Sequence, residues 1–379
     1  MKKIFLNFVL VVFGCLNAIS QGCLPQGITF TTQAQIDSFP INYPGCNVIE
    51  GEVVINGVWD ISNLNGLNVL TAFGGGLNIT NSHLLADFTG LDNLTSIGGY
   101  LYINTNINQT SFNGLEALTS ISGYFWMEQY YNTTLTNLTG LDNLTTIGGH
   151  VHLSNCNALT SLTGLENLTS IGGNLGLTLN SLNNLTGLNG LSSVGGDLIL
   201  SSNSSLTSLS GLDSLTSISG SLIISANGVL ATLKGLDNID ENSISHLYIQ
   251  SNPSLSTCEV QSVCAYLLSP NGSFDISSNA PGCNSLQEVE AACAWLSTDD
   301  FSTKDEFSLY PSPSPNYITI ETSLIPGQLT ILNLKGQQFI QRQVTEHRTV
   351  IDISHLADGV YFIRLLNEKT AGVRKFIKE

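Results

Sequence analysis

The chain has 379 residues, 42% hydrophobic and 11% charged, a balance that suits packed domains and excludes a disordered polymer. Between Gln21 and Thr303 a single basic residue, Lys234, stands against 21 acidic ones, whereas Lys304 to Glu379 holds nine basic and eight acidic residues. An acidic body repels phosphate backbones and anionic membrane surfaces, which argues against nucleic acid as a partner, and the change of charge marks a domain boundary. The same charge serves solubility, with attraction to Ca2+ or cationic glycans as the sharper alternative.

At the N-terminus, Lys2 and Lys3 precede an apolar run from Ile4 to Cys15 and then Ala18, Ile19 and Ser20, the order of a secretory signal peptide over residues 1–20. The body is expected to start at Gln21. No later run reaches the roughly 18 apolar residues needed to cross a bilayer, so no membrane insertion is expected after cleavage. Seven cysteines then remain, and an oxidising compartment favours disulfides. Cys23 is expected to pair with Cys46. Cys258, Cys264, Cys283 and Cys293 allow three connectivities, of which Cys258 with Cys283 and Cys264 with Cys293 is favoured.

Gly-Leu pairs recur at Gly66, Gly90, Gly114, Gly140, Gly164, Gly187, Gly211 and Gly235, spaced by 24, 24, 26, 24, 23, 24 and 24 residues, and a fixed period of this size means a solenoid. Each coil has one alternating segment, such as Leu101-Tyr102-Ile103 or Leu198-Ile199-Leu200, which puts two aliphatic residues on one strand face and the middle residue on the other. Ten such strand cores run from Val53–Ile55 to Leu247–Ile249 and 274–276. The Gly-Gly or Ser-Gly pair before each strand suits a positive-φ turn or a close backbone approach. Leucines such as Leu138, Leu141 and Leu144, with Ile147, point inward, and only a stack of coils buries them. An Asn follows the strand at Asn106, Asn180, Asn203, Asn227 and Asn252, where stacked amides can bond neighbouring turns. Cys156 stands at the position of Asn203 and reads as a free, buried, inert thiol. The recurring Asp92, Glu116, Asp142, Glu166, Asp213 and Asp237 read as turn residues, and the frequent Asn-Leu-Thr triplets as parts of the repeat, not glycosylation sites.

The pattern L-x-x-I-x-G-x-L-x-I-x-x-N-x-x-L-x-x-L resembles the receptor L-domain variant of the leucine-rich repeat, over about Cys46 to Asn279. That resemblance implies a right-handed, mainly β, parallel solenoid with little helix. From Cys258 to Leu268 and Ser285 to Leu296 the apolar spacing turns helical, and these segments with their four cysteines read as a cap on the last coil.

After a polar linker at 298–305, the segments FSLYPSPSPNYITIE, LTILNLKGQQFIQRQV and TVIDISHLADGVYFIRLLNEKTAGVRKFIKE alternate apolar and polar residues, with turns at Pro326-Gly327, Lys335-Gly336 and Asp358-Gly359, and predict a small β-sandwich. This region, 306–379, resembles the C-terminal sorting domain of the type IX secretion system of Bacteroidota-type bacteria. The features carrying the likeness are Leu309-Tyr310-Pro311 with Pro313, the LNLKGQ hairpin, Ile351-Asp352-Ile353-Ser354 before Leu356, Gly359-Val360-Tyr361, and Lys375-Phe376-Ile377-Lys378. Where that family usually has Asn between the prolines, this chain has Ser312. The likeness implies recognition by the secretion machinery, crossing of the outer membrane, and removal of the domain with release or lipopolysaccharide anchoring of the body.

No nucleophile elbow, P-loop, HExxH or EF-hand loop occurs, and neither an enzyme nor a cofactor is expected. One place departs from the repeat: the outward positions of three adjacent strands carry Tyr100 and Tyr102, then Tyr124, Trp126 and Glu128, then His150 and His152, while neighbouring coils offer mostly Asn, Ser, Thr and Gly. Tyr100, Tyr124 and His150 should stack across strands, as should Tyr102, Trp126 and His152. The Trp126 coil is two residues longer, with Gln129, Tyr130 and Tyr131 extending the aromatic surface. Such positions can serve cross-strand stability alone or form a ligand platform. His150-x-His152 with Glu128 approaches a zinc geometry, but Glu128 should fall beside Ser154, and no metal is expected. These features together predict a solenoid over 21–256, a last coil and helical cap over 257–297, and a secreted or surface-displayed binding protein of adhesin or glycan/protein-capture type. An envelope spacer without a specific ligand is the alternative.

Overall fold

The computed structural model describes residues 22–300, 307–322, 325–333, 338–366 and 371–379. The expected signal peptide, residues 301–305 of the linker and 334–337 of the LNLKGQ hairpin lie outside the described residues. The chain divides into two compact units, Met1–Ser181 with Thr186–Gly195, and Leu182–Leu185 with Gly196–Glu379.

In the first unit the described residues form parallel β-solenoid coils. Seven parallel strands follow in chain order, from Ile28–Phe30 through Val53–Ile55, Leu77–Thr80, Leu101–Asn104, Phe125–Glu128 and Val151–Ser154 to Leu175–Thr178. Alternation works as the sequence requires: Leu101 and Ile103 are buried while Tyr102 and Asn104 are half-buried on the other face. The strand at Ile28–Phe30 and the short helices Gln33–Asp37 and Phe39–Asn42 were not among the expected elements. Thr32 caps the first of these helices reciprocally with Gln35, and Pro40 opens the second, where its missing N–H is no loss.

A second set of two-residue strands, such as Ser96–Ile97, Ser120–Ile121 and Thr146–Ile147, pairs in parallel just before the Gly-Gly corners. Gly98 and Gly99 at such a corner do not need positive φ. A Cβ on Gly99 would stand 2.5 Å from the Gly76 nitrogen, so only a residue without a side chain lets successive coils approach. Positive φ belongs instead to the Gly-Leu anchors, for example 111° at Gly90. There the turn is fixed by the following acid: the Gly90, Gly114, Gly140 and Gly164 N–H groups donate to Asp92, Glu116, Asp142 and Glu166, each at 2.8 Å. In the Asn-Leu-Thr phrases at Asn93, Asn143 and Asn167 both polar residues reach back one coil. Asn143 Nδ2 donates to the Glu116 carbonyl at 2.7 Å and Thr145 Oγ1 to the Thr119 carbonyl at 3.0 Å.

Bends after the strands leave buried backbone groups, and a ladder of side chains satisfies them. Asn106 Nδ2 donates to the Ile79 carbonyl at 2.9 Å while its Oδ1 accepts the Ser82 N–H at 2.8 Å. In the longer coil the expectation for Gln129 needs correction. It is fully buried, not part of the exposed surface, because its Oε1 accepts the Asn106 N–H at 2.9 Å and so takes over the ladder role. Asn132 occupies the space created by the two extra residues and donates to the Asn106 and Gln109 carbonyls. Cys156, a free cysteine, is buried, its N–H donates to Asn180 Oδ1 at 3.0 Å, and its Sγ lies 3.3 Å from the Ser154 carbonyl. Burial pushes this thiol up to about 12.

The second unit repeats the coil with parallel strands Leu198–Ser201, Ser221–Ser225, His246–Gln250 and Phe274–Ser277. Its ladder is unbroken: the Asn203, Asn227 and Asn252 N–H groups donate to the Oδ1 atoms of Asn227, Asn252 and Asn279 at 3.1, 2.9 and 3.0 Å. After the coils, helices Gln261–Leu268 and Leu286–Asp300 carry or adjoin the cysteines. The first starts three residues later than the apolar spacing suggested because Thr257 still bridges to Thr232. The second continues through residues 298–300, where the linker was expected. Disulfides join Cys258 to Cys283 and Cys264 to Cys293, with Cα atoms 5.6 and 5.4 Å apart, and in the first unit Cys23 to Cys46 at 5.7 Å.

Two antiparallel sheets follow, one of Phe307–Tyr310, Tyr317–Thr322 and Arg348–Asp352, the other of Gln338–Val344, Gly327–Asn333, Gly359–Leu366 and Ala371–Lys378. They enclose one core that includes Ile318, Ile331, Ile363 and Phe376. Several of the residues that carry the sorting-domain likeness are tied together here. Ser312 Oγ accepts the Ile377 N–H at 3.0 Å and the Ser314 N–H donates to the Ile377 carbonyl at 2.9 Å, so the Pro311 to Pro313 segment is tied to the last strand. Tyr361 donates to the Ala357 carbonyl at 2.9 Å and stacks on Phe376. Lys378 is buried with its Nζ 3.2 Å from Asp358, and Lys375 is exposed.

Two outcomes are expected. Asn227→Ala removes the partners of the buried Asn203 N–H and, through Nδ2 at 3.0 Å, of the Leu200 carbonyl. It should lower unfolding free energy by roughly 2 to 5 kcal/mol in urea titration, each orphaned group costing about 1–3. Cys156 should resist a thiol-specific reagent in the native protein and react stoichiometrically in denaturant; native-state labelling would contradict its buried place.

Candidate ligand-binding face

The aromatic cluster lies in the first unit on the outward face of the Leu101–Asn104, Phe125–Glu128 and Val151–Ser154 strands. Register sets Trp126 opposite both Tyr102 and His152, and Glu128 opposite Asn104 and Ser154. Because successive side chains alternate, Tyr124, Trp126 and Glu128 all stand on one side of their strand, about 7 Å apart. Tyr100, Tyr102, Tyr124, Trp126, Glu128 and His152 are half-buried and His150 is exposed. Tyr130 and Tyr131 are 50% and 75% exposed at the turn beyond the strand.

The rings do not form two unbroken columns. Tyr100 and Tyr124 stack with centroids 4.8 Å apart and planes 3° from parallel. Tyr100 lies across Gly76, whose missing side chain gives it room, since a Cβ there would stand 2.6 Å from the ring. Its hydroxyl thereby reaches back two coils and donates to Glu52. His150, expected to continue this stack, turns the other way: its Nδ1 accepts the Asn174 N–H at 2.8 Å, over the space that Gly173 leaves open. The column therefore splays between Tyr124 and His150. One strand position further on, Trp126 packs against His152 with centroids 4.1 Å apart, and the His152 ring extends over Gly176.

Electrostatics follow from these contacts. Burial, the Glu52 hydrogen bond and the Glu52 charge raise the Tyr100 phenol, and burial with Tyr102 and Glu52 raises Tyr124. Burial lowers the His152 imidazole and Glu128 pulls it partly back. Glu128 accepts from Asn104 Nδ2 at 3.2 Å and Ser154 Oγ at 3.1 Å, both neutral donors. Asn104 also donates to the Tyr102 hydroxyl at 3.1 Å. With His150 Nδ1 engaged by backbone and Glu128 beside Ser154, the two histidines and Glu128 do not converge on one point. No group of three or more His, Cys, Asp or Glu placed to hold a metal occurs among the described residues.

Several residues of this face and its surroundings carry no signal in the sequence pattern. Glu52 completes the cluster through a contact spanning 48 positions, which strand alternation does not reveal. Trp59, 61% exposed, packs on His83 at 4.7 Å on the turns after earlier strands. In the second unit the outward positions are not all small and polar, since Ile199, Ile223 and Tyr248 occupy them. There His246 repeats the arrangement of His150, its Nδ1 accepting the Ser273 N–H at 3.1 Å.

Residues 308–379 match the family described as the secretion system C-terminal sorting domain. Residues 124–251 match six copies of the family described as the BspA type leucine rich repeat region, a repeat family that is typically non-catalytic. No curated protein matches the chain. The sorting domain marks a protein that engages the type IX secretion machinery and is secreted or held at the cell surface. No helix among the described residues is long and apolar enough to cross a membrane.

Because the folded His152 holds its proton less tightly than the free imidazole, protonation favours the unfolded chain. Its contribution to stability should be complete above about pH 6.5, the free value, and be lost as pH falls through the lower folded value. Denaturation midpoints measured from pH 7.5 to 5 should fall less steeply for His152→Gln than for the native chain; parallel slopes would contradict this.

Proposed function

From a chain that joins a BspA-type leucine-rich-repeat region to a type IX sorting domain, we propose a non-enzymatic, surface-displayed or released binding protein, an adhesin or glycan/protein-capture module. The face built from Tyr100, Tyr102, Tyr124, Trp126, Glu128, Tyr130, His150 and His152 makes the contact. One observation carries this reading: half-buried rings are gathered on adjacent strands of a rigid sheet, with glycines at Gly76, Gly173 and Gly176 in place of covering side chains. Rigid aromatic rings supply large contact area with little ordering cost on binding. The sorting domain serves delivery, with residues 1–20 as the export signal removed beforehand, the solenoid body over 21–256, its last coil and cap over 257–297, the linker at 298–305, and the sorting domain over 306–379. The sorting residues Pro311, Pro313, Gly359, Tyr361, Lys375 and Lys378 act in that step, not in ligand contact.

An envelope spacer is the second reading, favoured by the cross-strand contacts Tyr100–Tyr124 and Trp126–His152, which stabilise a sheet whether or not a ligand is present. The two separate in a glycan and host-protein binding screen of the secreted protein beside a Trp126→Ala/Tyr124→Ala variant. Binding lost in a variant that keeps its circular dichroism supports the platform. Undiminished binding rules out this face as the site of contact, and binding to nothing in the screen moves the case to the spacer.

A further inference from the structure

Resting on the platform reading, we propose that its ligand is a cationic protein segment, whose arginine or lysine side chains lie over the face of Tyr124 opposite Tyr100 and beside Trp126, between the carboxylates of Glu52 and Glu128.

Charge selects the class. Most acids of the repeat are occupied: Asp92, Glu116, Asp142 and Glu166 each hold a glycine N–H of their own turn. Glu52 and Glu128 differ in place: they stand on the outward face beside the rings, where their donors, the Tyr100 hydroxyl in one case and Asn104 with Ser154 in the other, are neutral and leave the carboxylate charge uncompensated. Covering an ionised carboxylate with a neutral ligand leaves its charge uncompensated, whereas a cation supplies the compensation. An anionic ligand is opposed both by these two groups and by a body with one basic residue from Gln21 to Thr303.

Geometry supplies the second half. Tyr100 covers one face of Tyr124 at 4.8 Å, and His150, next in that column, is turned to the Asn174 N–H instead of being stacked on the opposite face. A cation prefers the face of an aromatic ring to its edge. Hydrogen-bond donation from Tyr100 to Glu52 enriches the stacked pair in electron density, in the sense that favours a cation. Tyr124, Trp126 and Glu128 repeat at alternate strand positions, about 7 Å apart, the spacing of side chains on one face of an extended ligand. Basic residues at alternate positions of an extended segment therefore fall in step with the site.

The test uses the full-length secreted protein and a labelled dodecapeptide of alternating arginine and glycine. The same peptide with citrulline for arginine and an N-acetylchitohexaose complete the set, all at physiological salt. The arginine peptide should bind and the citrulline peptide should not. Glu52→Gln/Glu128→Gln should weaken it by about tenfold, while Asp275→Asn/Glu290→Gln, which removes as much charge elsewhere, should change it by less than about twofold. Equal losses in the two double variants, or equal binding of the citrulline peptide, would overturn the inference. Glycan binding that disappears in Trp126→Ala/Tyr124→Ala yet survives Glu52→Gln/Glu128→Gln would overturn it while sparing the platform. Absence of binding by every probe counts against both.

Discussion

Everything in the coils depends on how the backbone groups at each bend find partners in the next coil. A turn buried against its neighbours has no water to answer its N–H and C=O groups, so side chains must do it at every repeat. Asn106, Asn227 and Asn252 meet this need after the strands, and Thr119 and Thr145 on the opposite run. The leucines supply most of the favourable free energy, on the order of 2 kcal/mol for each one fully buried. They are interchangeable in a way the amides are not: burial asks only for volume, whereas the ladder asks for a donor and an acceptor at a fixed height.

This division explains what could be read from the sequence. Leucine period and strand alternation follow from burial and are visible at once, as are the six cysteines near the ends of the repeats. The two-residue strands at Ser96–Ile97 and its counterparts were not visible, since two residues hold no pattern. Nor was the N-terminal strand Ile28–Phe30, set among Cys, Pro and Gly. In the longer coil Gln129 stands next to the exposed Tyr130 and Tyr131 in sequence, yet its amide is needed inside by the Asn106 N–H, a demand that sequence position alone does not show.

The aromatic face was legible as a composition and only partly as a geometry. Register placed Tyr102, Trp126 and His152 abreast, because pairing of parallel strands follows from the repeat itself. The tilt of each ring depends on what the adjoining coil lacks: Gly76 lets Tyr100 fall one way, and Gly173 lets His150 fall the other. A glycine thus shapes the face as much as a tyrosine does, yet the repeat already explains glycines and so hides this role. The C-terminal domain shows the opposite case, where scattered motif residues gain a common reason once Ser312 and Ser314 are seen bonded to Ile377.

The carboxylates that close the Gly-Leu turns have a further meaning for the protein as a displayed object. Six of the eight Gly-Leu turns carry an acid at this place, with Asn68 and Asn189 standing at the other two, so negative charge accrues with most of the coils as a by-product of architecture. Copies brought close together would then repel one another through charge that the turns themselves require.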